Sequence, residues 1–125
     1  METGAIDIVQ PDVTLAGGLS ECRANAYLAS SFSVRCNPHA WGTTVSIGAT
    51  LQLLGAIPDY RPRLLPGPPK LGADVMPNPL REDITDWLFI LKDGCIMIPS
   101  EPGLGIEVDP DRMTKWTVNK TITEL

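Results

Sequence analysis

The sequence predicts an α/β fold with parallel strands, and three observations carry that prediction. Short apolar runs rich in β-branched residues alternate with longer stretches of good helix formers. Each short run ends in a polar loop, and the alternation is regular only in the first part of the chain, before a proline-rich stretch. Strand, helix, strand, helix in succession implies a parallel sheet with right-handed crossovers, because a helix returning over the sheet brings the next strand in alongside the last.

The first strand is Ala5-Ile6-Asp7-Ile8-Val9-Gln10, apolar and β-branched as a buried parallel strand should be, and Pro11-Asp12 is expected to stop it. A loop with Gly17-Gly18 follows. Ser20 beside Glu21 then reads as a helix N-cap with an acid in the first turn, where the helix dipole favours negative charge. That helix runs to about Ser31, with Cys22, Ala26, Ala29 and Phe32 spaced along one apolar face. The second strand, Ser33-Val34-Arg35-Cys36, ends at Asn37-Pro38-His39. Gly42 with Thr43 or Thr44 opens a second helix carrying Val45, Ile47, Gly48, Leu51, Leu54 and Gly55, which stops before Pro58.

After Ile57 the order changes. Pro58, Pro62, Pro66, Pro68, Pro69, Pro77 and Pro79 exclude long regular elements, leaving room for one short strand at Leu64-Leu65 or within residues 70–75. Trp87-Leu88-Phe89-Ile90-Leu91 and Cys95-Ile96-Met97-Ile98 flank Asp93-Gly94, the dipeptide of a tight hairpin. Pro102-Gly103-Leu104-Gly105 is a tight turn leading to a last strand, Ile106-Glu107-Val108, and the Thr-rich tail from Thr114 is expected to fray. The chain thus divides into residues 1–80, built of parallel strand–helix units, and residues 81–125, a small antiparallel addition. Neither closes by itself, since two or three parallel strands leave an unpaired edge.

The totals bound the function. At 125 residues the chain is one small domain, and a closed (β/α)8 barrel needs about 250. A net charge of −5 argues against nucleic acid or an anionic membrane as partner. With no apolar stretch of about 18 residues and no leader pattern, a cytoplasmic protein is expected. Cys22, Cys36 and Cys95 are odd in number and form no CxxC, so buried reduced thiols are expected rather than a disulfide framework.

The candidate chemistry lies at Asp12 and His39, each just beyond the end of a predicted strand in successive units. In a parallel barrel that is the face where active sites lie. Adjacent strands run about 4.8 Å apart, close enough for the two side chains to touch. A carboxylate bonded to one imidazole nitrogen fixes the tautomer and raises the basicity of the other, which makes a general base. Taken singly, each residue has a plainer reading: His39 as a surface or capping residue, Asp12 as a turn residue after proline. Their equivalent places in successive units weaken those readings.

Four motifs in register add to this. Asp7-Ile8-Val9-Gln10-Pro11-Asp12 with Gly17-Gly18 resembles the sixth-strand signature of mandelate racemase and its acid-sugar dehydratase relatives in the enolase superfamily. Pro38-His39-Ala40-Trp41-Gly42 is similar to their seventh-strand motif. Pro77-Asn78-Pro79-Leu80-Arg81, and Asp93-Gly94 followed by Pro102-Gly103-Leu104-Gly105, resemble the end of the same domain. The resemblance runs from about Ala5 to Asp109. It implies the C-terminal portion of a TIM-type (β/α) barrel, strands 6 to 8, plus antiparallel strands that would complete a capping α+β domain.

The same resemblance implies an Asp12–His39 acid/base dyad, with Asp12 orienting and His39 transferring the proton next to a carboxylate. It implies an enediolate held by Mg2+ and a hydroxy-acid or acid-sugar substrate, with Trp41 lining the substrate pocket. The family's magnesium ligands come from its third to fifth strands, so none is expected here and the chain is expected to be inactive alone. A glutamate that family members carry before Asn-Pro-Leu would fall near Gly72, with Asp74 close by, and that role stays unassigned. The alternative is a non-catalytic half-barrel module that pairs with itself, as a homo-oligomer, or with another chain through its open strand edges.

Overall fold

The structure is a computed structural model that describes residue 1 and residues 3–57, 70–87 and 89–122. Two parallel strand pairs joined end to end form its frame. β1 (Ile8–Val9) pairs with β2 (Arg35–Cys36), Ile8 opposite Arg35 and Val9 opposite Cys36. β3 (His39–Ala40) pairs with β4 (Gly72–Ala73), His39 opposite Gly72 and Ala40 opposite Ala73. The parallel pairing is the one the strand–helix alternation predicts. The proline-rich stretch supplies its short strand within residues 70–75; the other expected place, Leu64-Leu65, lies outside the described residues.

The strands do not stop where the prolines suggest. The Asn37 amide donates to the Val9 carbonyl at 3.0 Å and the His39 amide to the Pro11 carbonyl at 3.1 Å. The ladder thus reaches an isolated parallel bridge between Asp12 and His39. Pro11 lacks an N–H but keeps its carbonyl, and pairing across this step needs only the carbonyl. His39 therefore stands on a strand, not in the loop after one.

α1 (Gly18–Ser31) buries Cys22, Ala26 and Ala29, the predicted face, while Phe32 at its C-terminus stays 41% exposed. Its start differs from expectation. Gly17, at φ 88°, occupies the N-cap with no side-chain cap, so Ser20 lies inside the helix. A left-handed glycine turns the chain into the helix three residues before the first residue able to cap it.

α2 (Thr44–Ala56) is capped by Thr43, whose Oγ1 accepts from the Ser46 amide at 3.4 Å. It is apolar on nearly every side because it is covered on two. Ile47, Leu51 and Leu54 pack with Ala40 and with Leu71, Trp87, Phe89 and Ile96. Leu53, outside the stripe read from the sequence, packs with Val13 and Cys22 on the side of α1.

The residues after 80 lie against α2. The Gln52 side chain donates to the carbonyls of Pro99 (2.9 Å) and Leu104 (3.3 Å). Ile106 rests on Gly48, where a Cβ would come within 2.9 Å of its Cδ1. The hairpin is present but short: β5 (Leu91–Lys92) and β6 (Cys95–Ile96) pair antiparallel around Asp93 and Gly94, both at positive φ. Leu88, part of the longer strand expected there, lies outside the described residues. Gly105 closes the expected turn by donating to the Pro102 carbonyl at 3.2 Å.

The last expected strand, residues 106–108, is not one. Its backbone is held instead by Thr85, whose hydroxyl donates to the Glu107 carbonyl at 2.6 Å, and by the Asp109 amide, which donates to the Ile84 carbonyl at 2.8 Å. Two short helices that the reading did not anticipate, α3 (Pro79–Glu82) and α4 (Pro110–Thr114), begin at Asn78-Pro79 and Asp109-Pro110. In both, a capping oxygen precedes a proline whose fixed φ suits the first turn. No helix among the described residues is long and apolar enough to cross a membrane.

Because Ile47 is fully buried between these layers while Val45 on the same helix is 39% exposed, their truncations should separate. Ile47→Ala is expected to cost about 2–5 kcal/mol and Val45→Ala no more than about 0.5 kcal/mol in urea denaturation. Equal costs would show that α2 is not packed as described.

Candidate active site

The Asp12–His39 bridge brings the two side chains predicted from the sequence into contact. Asp12 Oδ2 lies 3.1 Å from His39 Nδ1. The other carboxylate oxygen, Oδ1, accepts from the Thr14 amide at 2.8 Å and the Thr14 hydroxyl at 2.5 Å. One oxygen is thus fixed by the chain's own turn and the second is left for the imidazole, an Asx turn closing on itself. The Asp12 side chain is 8% exposed and the His39 side chain 47%. A buried carboxylate therefore orients a half-exposed ring.

Burial pushes the Asp12 carboxyl up, but the Thr14 hydroxyl, the Thr14 amide and His39 together outweigh it. They hold Asp12 below its ordinary value of 3.8. The group is an anion at neutral pH, and an anion facing Nδ1 favours the tautomer with the proton on Nδ1 and a free lone pair on Nε2. That is the arrangement of a general base. Thr14 is the site residue the sequence reading missed; its signal was the Asp-x-Thr spacing of an Asx turn.

Trp41 follows β3 directly and is 65% exposed, on the loop that leaves His39. Asn78 anchors that loop by donating from its side chain to the Gly42 carbonyl at 3.1 Å. Arg81, 4% exposed, hydrogen-bonds the carbonyls of Asp74 and Met76, pairs with the Asp74 carboxylate at 3.6 Å and lies over the Phe89 ring. The Asn78-Pro79-Leu80-Arg81 stretch is therefore a clamp on the segment after β4. Asp74 is taken up by that clamp: its carboxylate meets Arg81 and accepts from the Met76 amide at 2.9 Å. The residue opposite His39 is Gly72.

No group of three or more His, Cys, Asp or Glu side chains among the described residues could hold a metal ion. The cysteines are free. Burial raises the Cys22 thiol and pushes Cys36 up to about 11, so neither is a thiolate nucleophile at neutral pH. Cys95 is exposed on the hairpin, in contrast to the buried place expected for it, because the short β5–β6 pair has one face open to solvent.

The sequence profile of the enolase C-terminal domain-like family matches residues 1–112. The chain belongs to this family. It is 39% identical over 116 residues to a D-galactarolactone cycloisomerase of Agrobacterium fabrum, covering 93% of this chain and 31% of that protein. It is 30% identical over 121 residues to a D-galactonate dehydratase of Variovorax paradoxus, covering 95% and 31%. Among solved structures, a putative mandelate racemase from Bordetella bronchiseptica RB50 superposes with a TM-score of 0.78 at 28% identity, covering 96% of this chain and 30% of that one. The chain spans about a third of the length of the curated relatives it matches. In this enolase C-terminal domain-like chain the α/β architecture is thus the family's own, and the relatives it matches include acid-sugar dehydratases and a cycloisomerase.

Asp12 is held below its unfolded value, so the stability it contributes is fully present above pH 3.8 and is lost as pH falls through the lower folded value. Thr14→Val removes a donor to the carboxylate and is expected to cost about 1 kcal/mol at pH 7. It should also flatten the decline in urea midpoint on acidification below that value. An unchanged acid limb in Thr14→Val would mean that Thr14 does not hold the carboxylate.

Proposed function

We propose that this stretch supplies the acid/base pair of an enzyme acting on hydroxy acids or acid sugars, by taking a proton from the carbon next to a carboxylate. The observation that carries the reading is the 3.1 Å contact between Asp12 Oδ2 and His39 Nδ1, with Asp12 buried and His39 half-exposed. Asp12 holds the ring and balances the charge it acquires. His39 Nε2 takes the proton, leaving an imidazolium and an electron pair that delocalises into the substrate carboxylate. The same imidazolium then gives the proton to a departing β-hydroxyl for loss of water; epimerisation instead needs a second acid on the opposite face of the carbon to deliver a proton there. The names of the dehydratase and cycloisomerase relatives support this class of substrate.

In this reading the parallel segments correspond to the sixth to eighth strands of a TIM-type barrel, residues 1–80, and residues 81–125 return to a capping domain. Trp41 lines the substrate side of His39, and the protein works in the cytoplasm. Mg2+, implied by the family, does not fit the described residues, which hold no ligand cluster for it. The proton chemistry of the dyad is the part of the reaction that these residues provide.

Two assays test this. The 125-residue chain alone, given magnesium and D-galactonate, should show no turnover, and magnesium-dependent turnover would overturn the assignment of ligands elsewhere. In a full-length natural polypeptide carrying this segment, His39→Asn should lower hydroxy-acid turnover by about 10²–10⁴-fold. An unchanged rate would sink the dyad.

A second reading, association of this unit with a copy of itself, is favoured by exposed apolar residues on and just before β1 and on α1: Ile6 (43%), Ile8 (41%), Tyr27 (52%) and Leu28 (53%). Light scattering after size exclusion decides it: a defined dimer supports pairing and a stable monomer argues against it.

A further inference from the structure

Asn78 has every one of its polar groups engaged. Its amide donates to Glu82 Oε1 at 3.3 Å, and its carbonyl accepts from the amides of Arg81 at 2.9 Å and Glu82 at 3.1 Å. Its side-chain Oδ1 accepts from the Leu80 amide at 3.0 Å and so caps α3. The remaining group, Nδ2, leaves the helix and donates to the Gly42 carbonyl at 3.1 Å. Among the strong capping residues Asn, Asp and Ser, only Asn carries an acceptor and a donor on separate atoms. Only it can cap α3 with one and hold Gly42 with the other.

Gly42 carries a matching constraint. Its φ of 111° strains any residue with a side chain, although a Cβ there would meet nothing within 4 Å. The glycine therefore serves the backbone conformation and not the space around it. His39 and Ala40 are fixed before this loop begins. The Gly72 amide donates to the Pro38 carbonyl at 2.9 Å and the Asp74 amide to the Ala40 carbonyl at 3.4 Å. What the Asn78 bond adds is a hold on the residues just beyond them, the exposed Trp41 and Gly42. We infer that Asn78 is a positioning residue that acts through Trp41, setting where the indole stands relative to His39. It thereby governs substrate binding and not proton transfer. This rests on the acid/base reading for placing the substrate between His39 and Trp41.

Asn78→Asp tests the inference, because it keeps the α3 cap while removing the donor to Gly42 and setting a carboxylate against that carbonyl. In the full-length natural polypeptide carrying this segment, labelled with 5-fluorotryptophan, the 19F signal of Trp41 is the one lost in Trp41→Phe. That signal should move toward its unfolded position in Asn78→Asp and in Gly42→Ala, with the parent's circular dichroism retained. With D-galactonate as substrate, Asn78→Asp should raise KM about tenfold and change kcat far less. Trp41→Ala should raise KM too. The double variant Trp41→Ala/Asn78→Asp should raise it no further, since no indole is left to displace. An unmoved Trp41 signal, a loss confined to kcat, or additive effects in the double variant overturns the proposal. His39→Asn separates it from the acid/base reading: Asn78→Asp should move the Trp41 signal in that background as well, whereas turnover is lost. Turnover that survives His39→Asn, with the Asn78→Asp effect on KM intact, removes only the acid/base reading.

Discussion

The hydrogen bond from the His39 amide to the Pro11 carbonyl is the contact on which the candidate site depends. It extends the β1–β2 pairing past a proline and sets Asp12 beside His39 in register. A slip of one residue in that pairing would turn one of the two side chains to the other face of the sheet, because successive side chains alternate. The 3.1 Å carboxylate–imidazole contact is thus a consequence of backbone register. Thr14 then refines it by occupying one carboxylate oxygen and leaving the other to the ring.

Holding that register requires the strands to be backed, and α2 does this. Its apolar residues face Ala40, next to His39, on one side and the Cys22 face of α1 on the other. Residues after 80 cover the helix through Gln52 and Gly48. The Arg81 clamp and the Asn78–Gly42 bond tie the loop after β3 to the segment after β4. The parts of the chain that carry no chemistry therefore act on the site through packing, by fixing where the strand ends lie.

The fold was legible where a local pattern and tertiary packing agree. The face of Cys22, Ala26 and Ala29 in α1, the Thr43 cap of α2 and the Asp93-Gly94 turn are short-range features, and each is present. The reading failed where partners distant in sequence decide. Ile106-Glu107-Val108 has strand composition, but Thr85 takes the Glu107 carbonyl and Ile84 the amide of Asp109 just after it, before another strand does. Gly17 starts α1 ahead of Ser20 by conformation, which composition does not show. Cys95 resembles any other small apolar residue in sequence and is exposed because its hairpin is uncovered on one side.

By itself the sequence determined the order of strands and helices, the parallel sense of the strands and the identity of Asp12 and His39 as the residues worth pairing. These follow from periodicity, turn chemistry and the place of each residue in its unit. Tertiary structure alone decided that Asp12 and His39 touch and that Gly72 lies opposite His39. Both are a matter of which backbone groups pair across tens of residues of intervening chain, and no local signal encodes that pairing.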